Sequence, residues 1–332
     1  MNSSSFVDSN PLSHFTIKTK PDVSVYPPTT SDSVKTNSAL VEIFIEFKWN
    51  SLDDPFGEVH EAESGELTFL RNSKCAKDTL GQITSYAAAH LGSQFRTHIF
   101  SVFILKDSAR LLRWDRSGTI VTEAFKYNES DLLAEFFFRY SKASDAMRGK
   151  DESVSDASPA EKSVAREALQ LDETVPLVKL SIPDEYGLRY FVAPAPQATP
   201  YTPPGRATRG FKSYDILQGK VVFVKDSWRI DLPDILAEGQ IYKMLRDANV
   251  DHVPHCVASG DIASADFHAT RTQTYTEKPW ARILATQLIP HRHYRLCLDL
   301  VGRIIVEYRN SYEMVSALRD ALIGEFSQCG LS

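Results

Sequence analysis

The sequence predicts an α+β protein with two hydrophobic cores, an N-terminal α/β domain and a second domain in which an apolar strand leads into a helix. Three observations predict this class. The 332 residues, 42% of them hydrophobic, are enough for two cores of ordinary size. Short β-rich runs alternate with segments of helical spacing. A stretch of small and charged residues separates the two parts, which is typical of a linker.

Composition and charge exclude several classes of protein. The formal charge of -6 argues against broad electrostatic attachment to nucleic acid or to an anionic membrane. No apolar run approaches the roughly 18 residues of a membrane span, and the first thirty residues do not form a signal peptide. The four cysteines are scattered without C-x-x-C spacing, which argues against a disulfide framework or a zinc site. We therefore expect an intracellular protein, in cytoplasm or nucleus, with reduced thiols.

The first domain is predicted to span residues 39–140, after a flexible N-terminus, 1–38, that is rich in Ser, Thr, Asn and Pro. Five segments justify it in order. Alternation or β-branched composition predicts strands, and helical spacing predicts two helices. These are the strand Val41–Lys48, the helix Asp78–Leu91, the buried strand His98–Leu105, the strand pair Arg110–Trp114 and Thr119–Thr122, and the closing helix Asp131–Tyr140.

The second domain is predicted to span residues 205–332, after a linker or insertion at 141–204. Residues 141–163 contain few large apolar side chains, and Pro194–Gly205 contains five prolines. After this proline-rich segment, Lys225 directly follows the apolar run from Val221 to Val224. Glu238 comes later, in a segment of helical spacing. We therefore predict a strand, a connection and a helix in this order.

Lys225 and Glu238 suggest a nucleotide site. A strand lysine that meets phosphates, oriented by a helix glutamate, is how a protein-kinase N-lobe builds its phosphate-binding ion pair. The segment Gly205–Gly210 is a candidate phosphate loop, because glycines let the backbone approach closely, although it matches G-x-G-x-x-G poorly. Judged by spacing alone, a surface lysine and a solvated helix glutamate fit as well.

Several short segments in order carry a wider resemblance, from about residue 20 to the end of the chain. Together they resemble the fungal-type protein kinase family. In chain order they are Gln94–Thr97, Arg110–Gly118, Arg148–Asp151, Val222–Trp228, Val250–Pro254, Gly260–Asp261, His291–Arg295 and Val301–Arg303.

This resemblance implies a kinase-like N-lobe, an antiparallel sheet with one helix, followed by the beginning of a C-lobe. Lys225 would bind phosphates, Glu238 would be its partner, and Tyr294–Glu307 would lead into the adenine hinge. Tyr312–Phe326 would be the first long C-lobe helix. ATP and Mg²⁺ would be the cofactors, and the reaction would transfer the γ-phosphoryl group to a Ser or Thr hydroxyl.

The chain departs from the family pattern in one respect. It contains neither H-R-D-x-x-x-x-N nor D-F-G, the motifs that supply the catalytic base and the magnesium ligands. We therefore interpret these 332 residues as an inactive pseudokinase or a kinase fragment. An N-lobe without the rest of a C-lobe would expose an apolar floor, which predicts instability or an unidentified partner.

A second constellation lies in the first domain. Pro21-Asp22, Glu46-Phe47-Lys48 and Gln82 with Tyr86 resemble, in order, the PD-(D/E)xK nucleases and their Q-x-x-x-Y branch. Asp22 and Glu46 would share a divalent metal, and Lys48, on the same strand face as Glu46, would help activate water. Nucleic acid would be a partner only under this alternative.

Both residue patterns also allow interpretations without catalytic activity. A degenerate nuclease fold kept as a scaffold fits the first domain, because E-x-K is common in strands and Asp22 lies in a Pro-rich segment. An inactive binding module is a third hypothesis. The pairs His252 with His255 and His291 with His293 lack the spacing of a structural zinc site, so we interpret these histidines as packing or surface residues.

Overall fold

The computed structural model describes residues 19–28, 37–63, 65, 67–196, 202–262, 267–276, 278–281, 288–303 and 307–329. The predicted flexible N-terminus, 1–38, lies mostly outside the described residues. The chain divides into two compact units that alternate along the sequence. The first unit comprises Met1–Glu152, Pro196–Arg209 and Ser264–Arg292, and the second comprises Ser153–Ala195, Gly210–Ala263 and His293–Ser332.

The first unit is built on a five-stranded sheet with strand order β1-β2-β5-β6-β7. Strands β2 and β5 pair in parallel, and the other neighbours pair antiparallel. A separate hairpin joins β3 and β4. The elements are β1 (Val23–Val25), β2 (Ile43–Phe47), β3 (Phe56–Glu61), β4 (Leu67–Leu70), α1 (Lys74–Ser93), β5 (Ile99–Ile104), β6 (Ala109–Trp114), β7 (Thr119–Val121) and α2 (Leu132–Lys142).

Each face of this sheet has its own hydrophobic cluster. Tyr86 and Leu91 of α1 belong to the cluster of Phe44 and Phe103. Aromatic side chains of α2 pack against Ile45 and its neighbours on β5. The alternation of β2 explains this division, because successive strand residues point to opposite faces. Helix α1 therefore covers the face to which Glu46, two residues after Phe44, also belongs.

The structure confirms the helices and strands predicted for residues 39–140, but it adds the hairpin of β3 and β4, where the sequence indicated only an acidic loop. Both helices and the strands β2, β5, β6 and β7 are present within a few residues of the predicted bounds. Helix α1 begins earlier than predicted, at Lys74, because the Ser73 side chain accepts a hydrogen bond from the amide of Ala76 and caps it. The turn between β6 and β7 is closed by Asp115, whose carboxylate accepts from the amides of Ser117 and Gly118.

The second unit is built on a seven-stranded sheet with strand order β13-β14-β12-β11-β10-β9-β8. Its predicted final helix is confirmed. No helix among the described residues is long and apolar enough to cross a membrane. The elements are β8 (Val154–Asp156), α3 (Pro159–Leu169), β9 (Leu177–Asp184), β10 (Gly187–Pro194), β11 (Arg209–Asp215), β12 (Lys220–Ile230), α4 (Glu238–Asp247), β13 (Cys256–Asp261), β14 (His291–Leu298) and α5 (Ser311–Cys329).

Residues 141–204, predicted as a linker or insertion, differ from that expectation. They contain β8, α3, β9 and β10. Helix α3 has a polar surface but a complete start signal: Ser158 and Glu161 form a capping box, and Pro159 occupies the first turn. Strands β9 and β10 form a hairpin paired over eight residues each. The low apolar content reflects exposed faces of regular elements, not an unstructured connection.

Candidate functional sites

The first candidate site is the Lys225–Glu238 pair of the second unit. The Lys225 ammonium donates to both carboxylate oxygens of Glu238, at 2.8 and 2.7 Å. Each side chain is about one-quarter exposed, so the pair can be reached from solvent. Glu238 is the first residue of α4, where the positive end of the helix dipole favours a carboxylate. The structure thus brings together the two residues that sequence spacing paired.

The N-terminus of α4 is fixed against β13 and β14. The amide of Gly239 donates to the Tyr294 hydroxyl at 2.8 Å. A Cβ atom on Gly239 would lie 2.5 Å from that hydroxyl and 2.7 Å from the Cβ of Ser259, far inside ordinary contact. The close approach of the helix therefore requires glycine. This close approach of α4 to the sheet places the Glu238 carboxylate beside the Lys225 ammonium.

The opposite face of β12 carries a buried ionic cluster that the sequence did not indicate. Asp226 follows Lys225 and is 4% exposed. Its Oδ1 accepts from Nε of Arg295 at 2.6 Å and lies 2.7 Å from Nε2 of His293. Arg295 is fully buried and also donates to the Ser153 hydroxyl and to the Ser181 carbonyl. Trp228 stacks on the His293 ring, with centroids 4.9 Å apart.

The candidate phosphate loop, Gly205–Gly210, crosses the boundary between the two units, which falls after Arg209. Within the first unit, the Gly205 amide donates to the Arg116 carbonyl at 2.8 Å. Arg209 is buried and donates to the Leu91 and Gln94 carbonyls at the end of α1. It therefore caps a helix and is not a solvated charge. Gly210 leaves room for the Phe223 ring, which a Cβ would meet at 2.6 Å.

The second candidate site lies in the first unit, where β1, β2 and α1 meet. Lys48 donates to Oε1 of Glu46 at 2.7 Å and to Oε1 of Gln82 at 2.8 Å. Oδ2 of Asp22 accepts from the amide of Phe47 at 2.9 Å. Gln82 Nε2 in turn donates to the Tyr86 hydroxyl at 2.7 Å. The structure thus brings all five predicted residues of this constellation together.

Glu46 has the electrostatic properties of a cation ligand. It is 1% exposed, and its Oε2 has no hydrogen-bond partner among the described residues. Burial raises the pKa of the Glu46 carboxyl, and the Lys48 ammonium opposes this rise. The charge of Asp22 adds to the rise, whereas a hydrogen bond from the Asp22 main chain opposes it. A buried carboxylate oxygen without a donor is costly, and a divalent cation would satisfy it. Asp22 and Glu46 therefore fit a metal ion by the chemistry of their donors.

The structure also places the histidine pair of β14 and part of the predicted hinge segment. His291 is buried, and its Nδ1 lies 2.9 Å from the Ile289 carbonyl. His293 is also buried and contacts Asp226. Of the predicted hinge segment, Tyr294 is buried, while residues 304–306 lie outside the described part of the chain.

Comparison with known proteins gives one match. The family model described as fungal protein kinase matches residues 62–328, about four-fifths of the chain. The matched range includes Lys225 and Glu238, and it begins after Asp22, Glu46 and Lys48. No curated protein and no solved structure matches the chain.

Proposed function

Because the chain belongs to the fungal protein kinase family, we propose that its second unit binds ATP through Lys225. The observation that carries this proposal is the double hydrogen bond from Lys225 to Glu238. It fixes an ammonium group at the end of an apolar stretch of strand, partly open to solvent. Such a preoriented cation is what the phosphates of a nucleotide require.

The proposal covers nucleotide binding and not phosphoryl transfer. Transfer needs a base for the hydroxyl proton and side chains that hold magnesium. The sequence contains neither H-R-D nor D-F-G. We therefore propose nucleotide binding for these residues, in which bound nucleotide stabilises the second unit by mass action.

Titration calorimetry with Mg-ATP tests this function. Lys225→Ala should abolish measurable binding, and Glu238→Gln should weaken it, because the ammonium then keeps only a neutral acceptor. Lys212→Ala is the matched control, since Lys212 is an exposed lysine on the neighbouring strand β11. Equal affinity in wild type and Lys225→Ala would remove the assigned role.

We propose a metal-dependent nuclease-like site in the first unit as the second candidate function. What supports it is the array of Asp22, Glu46, Lys48, Gln82 and Tyr86, together with the unsatisfied buried oxygen of Glu46. A divalent cation held by Asp22 and Glu46 would polarise a phosphodiester and lower the pKa of a bound water. Lys48 would stabilise negative charge developing beside Glu46.

The test separates a live site from a scaffold. The 332-residue protein is incubated with single- and double-stranded DNA and Mn²⁺, and Glu46→Gln should abolish both cleavage and Mn²⁺ binding. Mn²⁺ binding without cleavage would identify a scaffold that retains the cation site. Cleavage that survives Glu46→Gln would assign the activity to a contaminant or to another site.

A further inference from the structure

We infer that Tyr86 is a positioning residue of the candidate metal site, holding the chain segment that carries Asp22. This inference rests on the second function proposed above. Asp22 lies just before the short strand β1, on a segment that needs an anchor if its carboxylate is to stay beside Glu46. The contacts of Tyr86 supply that anchor from α1.

Asp22 is held from two directions. On one side, the Tyr86 hydroxyl donates to the carbonyl of Lys20, two residues before Asp22, at 2.8 Å. On the other, the amide of Phe47 donates to the Asp22 carboxylate at 2.9 Å. The first bond fixes the main chain and the second fixes the side chain. The residues after Asp22 are also held, because Val23 pairs with Ile45 of β2. The Tyr86 bond is therefore the contact that fixes the residues before Asp22.

The direction of each hydrogen bond follows from the donors available. Lys48 can only donate, so the Gln82 oxygen must face it. The Gln82 amide nitrogen therefore faces Tyr86 and donates to its hydroxyl. The phenolic proton of Tyr86 is then left for the Lys20 carbonyl, which can only accept. A continuous series of hydrogen bonds therefore connects the Lys48 ammonium, beside Glu46, to the Lys20 carbonyl, two residues before Asp22.

The side chain of Tyr86 is suited to anchoring and not to proton transfer. Its ring is 6% exposed and meets Phe44 edge to face, with centroids 5.6 Å apart. Burial raises the pKa of Tyr86 to about 12. The hydroxyl consequently keeps its proton near neutral pH and remains a donor to Lys20. A general acid or base would need a pKa closer to neutrality.

The test is Mn²⁺ titration of the full chain, with Tyr86→Phe, which deletes the hydroxyl and keeps the ring. Mn²⁺ affinity should fall by roughly tenfold, the lower end of what outer-shell partners of metal ligands contribute. Amide hydrogen exchange at residues 20–24 should rise in the same variant. Tyr127→Phe is the matched control, because the Tyr127 hydroxyl also donates to a lysine carbonyl, that of Lys106, at 2.8 Å.

The outcomes separate this inference from the function on which it rests. Weaker Mn²⁺ binding in Tyr86→Phe, with Tyr127→Phe unchanged, supports the inference. Equal Mn²⁺ affinity in wild type and Tyr86→Phe overturns it and leaves the metal site in place. Absence of Mn²⁺ binding to the wild type overturns the metal site and the inference together. If Tyr86→Phe does not fold, Gln82→Leu replaces it with hydrogen exchange at residues 20–24 as the readout, because Gln82 also contacts Lys48 and Mn²⁺ affinity alone would not isolate Tyr86. Faster exchange there supports the inference, and unchanged exchange overturns it.

Discussion

Replacing Gly239 by alanine should destabilise the second unit and separate Lys225 from Glu238. The added Cβ would lie 2.5 Å from the Tyr294 hydroxyl and 2.7 Å from Ser259 Cβ, where ordinary contact begins at 3.4 Å. The N-terminus of α4 must therefore move by about 1 Å to restore van der Waals contact. Such a shift lengthens the two Lys225–Glu238 contacts, now 2.8 and 2.7 Å, beyond hydrogen-bonding range.

The direction of the change in the free energy of unfolding distinguishes overpacking from helix propensity. Helix propensity alone would make Gly239→Ala stabilising by up to about 1 kcal/mol. Overpacking of this kind costs about 1–3 kcal/mol, so we expect a net loss of about 1–2 kcal/mol in the free energy of unfolding. Gly81→Ala is the matched control, because Gly81 is an exposed helical glycine in α1 where an added Cβ would meet no atom within 4 Å. That variant should be stabilised.

Urea denaturation gives the free energies, and hydrogen exchange across α4 locates the change. Exchange should increase at the start of α4 in Gly239→Ala and stay unchanged there in Gly81→Ala. Adding Ser259→Gly to Gly239→Ala removes one of the two obstacles and should restore part of the loss. A Gly239→Ala protein as stable as the wild type, with unaltered exchange in α4, would refute the reasoning.

Two further predictions concern buried charge. Arg295→Met should lower the free energy of unfolding in urea by about 3–5 kcal/mol, because it leaves Asp226 buried without its guanidinium partner. Arg229→Met breaks the more exposed pair with Asp261 and should lower it by about 1 kcal/mol or less, so equal losses in the two variants would contradict this prediction. The raised pKa of Glu46 means that its contribution to stability is present below the ordinary glutamate value of 4.5 and is lost as pH rises through the folded-state pKa. Metal-free Glu46→Gln should therefore be more stable than wild type at pH 7, with the difference vanishing below pH 4.5, as thermal unfolding across pH would show.

The sequence predicted the contacts that depend on one strand and the next helix. Lys225 and Glu238 meet because the chain turns back after β12 ends at Ile230, so that α4 begins beside the middle of that strand. The array around Glu46 was predicted through a resemblance whose spacing carries geometry: i and i+2 share a strand face, and i and i+4 share a helix face. In both cases local periodicity determines the direction of the side chains.

The features that were missed depend on distant register. Asp226 and Arg295 lie 69 residues apart, and each looks like an ordinary polar position of an amphipathic strand. Asp226 and Arg295 face the same buried region only because their strands pair in the folded protein. The role of Arg209 was missed for the same reason, because nothing local indicates that the carbonyls at the end of α1 accept from its guanidinium. The elements of 141–204 were missed for a different reason, since composition was given more weight than the capping signal at Ser158.

The buried cluster explains why Lys225 can serve as a preoriented cation. Strand residues alternate between faces, so Lys225 and Asp226 point in opposite directions from β12. A slip of one residue would bury the lysine and expose the aspartate. The bonds from Arg295 and the stacking of Trp228 on His293 oppose that slip, because each needs its strand in this register. Charge buried on one face of β12 therefore fixes the position of the charge presented on the other.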